Sequence, residues 1–232
     1  MIFKRIFVTA AVFFIAITAV TAQNRQLTVE ESYLQQSLEL MIIREHTRAE
    51  GREMKLIALE YISDAISRGN TGPEIKEALE YMGIEGTINQ TRENGRLVNN
   101  YPDIRVRAAT YLGDLGTPEA KDSLIKMALA DNEPMVLTEV IKSLGRIGIN
   151  DNDEVSSTIS FIVRHYDVLN PDNLLALAAL EAFEKLAASN GRIDQNSVQT
   201  VLRIANGHYL TAVREKARLV LADLTRASLR GQ

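Results

Sequence analysis

Cysteine is absent from the 232 residues, which excludes disulfides, thiolate nucleophiles, thiolate metal sites and a lipid anchor on an N-terminal cysteine. Whatever fold forms must hold by packing alone. Tryptophan is also missing, aromatics make up only 6% and prolines number only 5. Beside recurrent Ala, Leu, Glu, Ile and Arg, that scarcity favours helix over sheet. There is no excess of basic residues either, since 26 Lys and Arg stand against 30 Asp and Glu for a formal charge of −4. A surface of that sign repels phosphate backbones and argues against nucleic acid as a partner. What is present, 46% hydrophobic and 24% charged residues, suits a chain that folds around a core.

The first residues carry two positive charges, Lys4 and Arg5, then an uncharged run from Ile6 to Ala22, then polar residues from Gln23. Val20 and Ala22 occupy the −3 and −1 positions of a small-residue cleavage site, so residues 1–22 read as a signal peptide. Its removal would take away Lys4 and Arg5 and move the formal charge from −4 to −6. The alternative is an uncleaved anchor, the only contact with a membrane that the sequence suggests. Either way residues 23–232 are expected to lie outside the cytoplasm, periplasmic or secreted.

Internal periodicity organises the rest. Ile104, Ala108, Tyr111, Leu112 and Leu115 fall on one face of a 3.6-residue helix. Thirty-two residues later the frame returns as Val136, Val140, Ser143, Leu144 and Ile147, with Gly145 and Gly148 matching Gly113 and Gly116. Looser copies are Leu175, Ala179, Ala182, Phe183 and Leu186, then Val213, Ala217, Val220, Leu221 and Leu224, with a weak early copy at Met54, Ala58, Tyr61, Ile62 and Ala65. Amphipathic segments between them, about Pro73–Met82, Pro118–Ala130, Glu154–Tyr166 and Gln195–Ala205, supply partner helices, with Thr117 and Asp194 as N-caps. Such pairs cannot bury both apolar faces alone, so they must stack.

The stretch Asp103 to Gly116 resembles a HEAT repeat, particularly the short variety first associated with phycobilisome lyases. The resemblance extends over most of Leu27 to Leu229, strongly in the middle and faintly at the ends. It implies an all-α, right-handed α-solenoid of about five stacked helix pairs. The Arg after the first apolar position survives as Arg105 and Arg214 but is Leu137 and Ala176 between them, which argues against a continuous buried Arg ladder. Residues 83–101, polar and rich in Asn and Gly, fit no helical period and are expected to form a long mobile loop that tolerates shortening.

Motifs for chemistry are scarce. His46, His165 and His208 fall in different repeats without an i, i+4 pair, so neither a zinc site nor any other cofactor is expected. His46 reads as a solvent-facing residue of a charged helix. The repeat glycines sit at helix ends, where they let helices terminate or pack closely.

Counting the first apolar residue of each copy as zero, positions 2, 3, 6 and 10 project away from the core. They are Val106, Arg107, Thr110 and Asp114; Thr138, Glu139, Lys142 and Arg146; and Leu177, Ala178, Glu181 and Lys185. On the second helix of a HEAT pair this is the concave side. Arg107, Lys142, Arg146 and Lys185 suggest a basic track for an acidic peptide, interrupted by Asp114, Glu139 and Glu181. The favoured expectation is therefore a non-enzymatic binding module or scaffold that contacts another protein or peptide through Arg107, Thr110, Asp114, Glu139, Lys142, Arg146, Glu181 and Lys185. The resemblance leaves a second expectation open, a lyase-like or carbohydrate-active enzyme whose acids, such as Glu139 and Glu181, converge across that face.

Overall fold

The computed structural model describes residues 28–167 and 171–230; residues 1–22, expected to be a signal peptide, lie outside the described residues. Two units can be separated, Met1–Glu39 and Leu40–Gln232. In the first, the described residues open helix α1 (Val29–Arg48) with a reciprocal cap. The Glu31 amide donates to Thr28 Oγ1 at 3.2 Å and the Thr28 amide donates to Glu31 Oε2 at 2.9 Å. Val29, Tyr33, Leu34 and Leu38 are exposed along that stretch.

The second unit continues α1 into a stack of helices: α2 (Arg52–Ser67), α3 (Pro73–Gly83), α4 (Pro102–Leu115), α5 (Pro118–Ala130), α6 (Pro134–Ile147), α7 (Glu154–Tyr166), α8 (Asn173–Asn190), α9 (Gln195–Asn206) and α10 (Thr211–Arg230). Odd-numbered helices begin each pair and even-numbered helices complete it. The result is an all-α solenoid, and the predicted partner helices fall within one residue of their expected ends. Proline stands in the first turn of α3, α4, α5 and α6, where its missing amide costs no hydrogen bond. Thr117 caps α5 by accepting from the Ala120 amide, and Asp194 caps α9 by accepting from the Ser197 amide, as expected. Among the described residues no helix is long and apolar enough to cross a membrane.

The frame residues form the core. Ile104, Ala108, Leu112, Val136, Val140, Leu144 and the whole α8 set are buried. The early copy departs from expectation, because Ala58, Ile62 and Ala65 are buried whereas Met54 is 39% and Tyr61 37% exposed. For Tyr61 the reason is its place at position 7, which in Ser143 and Ala182 packs against the preceding even helix, whereas among the described residues no pair precedes α1 and α2; the exposure of Met54 has no such explanation.

Two glycine pairs do different work. Gly116 and Gly148 end α4 and α6 at φ +67° and +74°, left-handed values that glycine adopts without strain. Gly113 and Gly145 instead permit contact between successive even helices. A Cβ at Gly113 would lie 2.7 Å from Ser143 Cβ, and one at Gly145 would lie 2.8 Å from Ala182 Cα. In the middle of the stack the even helices therefore approach one another more closely than the odd ones do, the spacing expected of the concave side. Glu184 takes the glycine's place in α8 and is bridged by Lys216 Nζ at 2.6 Å, and there the two layers become evenly spaced.

Residues 83–101 correct the expectation of a featureless loop. Gly83 to Gly86 are buried, and a hairpin of β1 (Arg92–Glu93) and β2 (Arg96–Leu97) follows. Its turn, Asn94-Gly95, has φ of +50° and +81°, the two positive values of a type I′ hairpin. Asn99 ties the base together, accepting from the Thr91 amide at 2.8 Å and donating to the Asn89 carbonyl at 2.8 Å.

Candidate interaction face and buried charge network

The expected surface residues lie on α4, α6 and α8, and the structure joins several of them. Thr110 Oγ1 donates to Glu139 Oε1 at 3.0 Å. Arg146 bridges back from α6, pairing with Asp114, donating to the Thr110 carbonyl at 3.3 Å and lying 3.7 Å from Glu139. Four of the eight named positions thus form one cross-helix network. This corrects the basic track, since Arg146 is spent on two acids of its own chain.

Arg107, Lys142 and Lys185 remain exposed, while Glu181 is half-buried. Thr110 and Glu139 are half-buried too, and Ala178, expected to project outward, is only 1% exposed because the short α6–α8 approach covers it. The face therefore mixes small and half-buried polar residues with the exposed cations Arg107, Lys142 and Lys185. Among the described residues no three His, Asp or Glu side chains gather as a metal set. His46 is half-buried rather than solvent-facing, its Nδ1 2.9 Å from the Ile42 carbonyl; that carbonyl is within reach of any residue four places on.

A second constellation was not apparent from the residue pattern. Arg105 is 1% exposed, and its Nε donates to Asp131 Oδ2 at 2.5 Å. Its Nη1 donates to Asn100 Oδ1 at 2.7 Å and to the Glu85 carbonyl at 3.3 Å, and its Nη2 donates to Asp131 Oδ1 at 3.3 Å. The matching position of the first copy is Lys55, also 1% exposed, with Nζ 2.5 Å from the Thr47 carbonyl, 3.2 Å from Glu85 Oε2 and 5.3 Å from the Tyr81 ring centroid. Glu85 thus serves both cations, one through its side chain and one through its backbone. Burying four charges is tolerable because each meets an opposite charge or a carbonyl. The series ends there: Leu137 and Ala176 are apolar, and Arg214 is half-buried.

Known proteins give a consistent picture of the architecture. Residues 96–171 match the family model described as HEAT repeats. An uncharacterized protein of Treponema pallidum (strain Nichols) is 25% identical over 172 residues, which is 73% of this chain. The chain spans about a third of that relative's length, 32%. No solved structure gives a significant match. The matched stretch covers α4 to α7, where frame, close-approach glycines and buried Arg105 coincide, and these helices are HEAT repeats within an all-α solenoid.

Proposed function

We propose that this chain is an exported, non-enzymatic module that binds another protein or a peptide on the inner face of its solenoid. The observation that carries this reading is the face of α4, α6 and α8, pre-ordered by the Thr110–Glu139–Arg146–Asp114 network and carrying the exposed cations Arg107, Lys142 and Lys185. A rigid face loses little entropy on association, and exposed cations on it steer an acidic partner. HEAT repeats commonly mediate such contacts, in keeping with surfaces that stacked helix pairs extend. Glu139, a candidate acid for the catalytic alternative, is engaged by Thr110 and Arg146, which favours the binding role.

Affinity capture with the tagged protein tests the reading. A partner held by the wild type should be lost, by about tenfold or more in affinity, on combining Arg107→Glu, Lys142→Glu and Lys185→Glu. A partner indifferent to the triple reversal would refute the inner face. Turnover of a glycan or pigment that vanished with Glu139→Gln and Glu181→Gln would establish the enzyme instead. Export predicts a mature N-terminus at Gln23 by mass spectrometry.

A further inference from the structure

A recess of about 460 Å³ lies between α7, α9 and the turn after α9, on the odd-helix side and away from the face just described. Arg164, Asp167, Gln199, Arg203, Asn206 and His208 line it. Its two guanidinium groups are held at one end only. Arg164 Nε donates to the Ser160 carbonyl at 3.2 Å, and Arg203 Nε donates to Asp167 Oδ2 at 2.7 Å. Among the described residues the terminal nitrogens of both make no hydrogen bond, which leaves them open to a ligand.

Asp167 is the single acid among these residues, and its side chain is only 11% exposed. It is bonded to Arg203 on one side and to the Tyr209 phenol on the other. Burial, followed by that bond to Asp167, pushes the Tyr209 phenol well above its usual range, so it stays a donor. Asp167 therefore cancels one cation internally and leaves Arg164 and the neutral donors uncompensated.

We propose that this groove binds an acidic, extended peptide segment by its carboxylates, a proposal that rests on the protein-binding reading above but assigns a second site. A guanidinium accepts a carboxylate side-on through two parallel hydrogen bonds. Gln199 and Asn206 each offer an amide that can serve a peptide's own N–H and C=O together. Leu202, 50% exposed at the rim, provides apolar contact for the residue between two acids. On a chain of net charge −4, a recess with this balance selects by sign.

Fluorescence anisotropy with a fluorescein-labelled hexaglutamate peptide and the full chain tests it, with hexaglutamine and inorganic phosphate as comparisons. Saturable hexaglutamate binding is expected, weakened about tenfold or more by Arg164→Glu and separately by Gln199→Glu, both exposed residues whose change leaves the Asp167 pair intact. The triple reversal Arg107→Glu/Lys142→Glu/Lys185→Glu should leave it unchanged. Absence of saturable binding, equal binding of hexaglutamine, displacement by phosphate at the peptide's own concentration, or indifference to both groove variants would overturn the proposal. A captured partner that is lost on the triple reversal while hexaglutamate fails to bind would sink the groove and spare the inner face. Hexaglutamate binding with no captured partner would do the reverse.

Discussion

Adding one methyl group at Gly145 distinguishes a glycine that lets helices touch from one that merely weakens a helix. In a free helix, Gly→Ala is worth about 1 kcal/mol in favour of alanine. In α6 the new Cβ would stand 2.8 Å from Ala182 Cα and 2.9 Å from Ala182 Cβ, distances at which the neighbouring helix itself must move. Overpacking of this kind costs about 1–3 kcal/mol. It outweighs the propensity gain, so Gly145→Ala should lose stability and, at about 2–4 °C per kcal/mol in a domain of this size, melt several degrees lower. Gly113→Ala meets mainly a side chain, Ser143 Cβ and Oγ at 2.7 Å, with Ser143 Cα farther off at 3.1 Å. Ser143→Gly should therefore relieve Gly113→Ala, whereas Ala182→Gly should not relieve Gly145→Ala, because the offending Cα stays. Thermal and urea melts of the four single and two double variants read this as coupling. A rise in melting temperature for Gly145→Ala, or equal coupling in both pairs, would refute the close-approach argument.

Removing one side of the buried ion pair should be expensive. Arg105→Met leaves Asp131 buried without its cation and should cost about 3–5 kcal/mol in urea denaturation, part of it recovered by Arg105→Met/Asp131→Leu. Replacing Arg92–Leu97 with a bare Asn-Gly turn should move the melting temperature by less than about 2 °C, since the tip is largely exposed. Glu85→Ala, which strands Lys55, should instead be as damaging as Leu112→Ala, about 2–5 kcal/mol for a buried leucine. Acid should weaken the fold through two carboxyl groups. Burial opposes ionisation of Glu80, but hydrogen bonds from Lys126 and Lys76 outweigh it; burial likewise opposes ionisation of Asp194, but Ser156 and Ser197 outweigh it. Both folded-state pKa values are lowered, so their stabilisation is present above the unfolded value of about 4 and is lost as pH falls through the folded values. Melts between pH 7 and 3 should show a decline below about pH 4 that Glu80→Gln/Asp194→Asn flattens, and an unchanged decline would exclude them.

The helix pairs were legible because three local signals agree: a 3.6-residue apolar frame, prolines in first turns, and glycines at fixed offsets. Tyr61 obeys the same frame yet lies half in solvent, because burial at its position depends on a neighbouring pair rather than on the helix that carries it. The hairpin carried a legible mark in Asn94-Gly95, but its strands hold charged rather than alternating apolar residues, so the period of two was absent. Arg105 could be singled out by position, whereas its partners Glu85, Asn100 and Asp131 are 5 to 26 residues away and meet only once the pairs have stacked. The inner-face residues were found as a set; their mutual neutralisation depended on side-chain directions across two helices.

The exchange of glycine for Glu184 between the last two even helices has a consequence for how the array comes apart. In a stack where each unit touches only its neighbours, stability is distributed as a series of nearest-neighbour couplings, and the weakest one sets where opening starts. The α4–α6 and α6–α8 couplings are close-packed, whereas the α8–α10 coupling adds to its buried apolar residues the Lys216–Glu184 bridge, whose side chains are each 32% exposed. Close packing is indifferent to ionic strength, but a half-solvated ion pair is screened by salt. Rising salt should therefore weaken the polar share of the α8–α10 contact while leaving its apolar share, Val213, Ala217 and Val220, and the α4–α6 and α6–α8 contacts unchanged, so the amides of α10 should gain exchange with salt before those of α4 to α8.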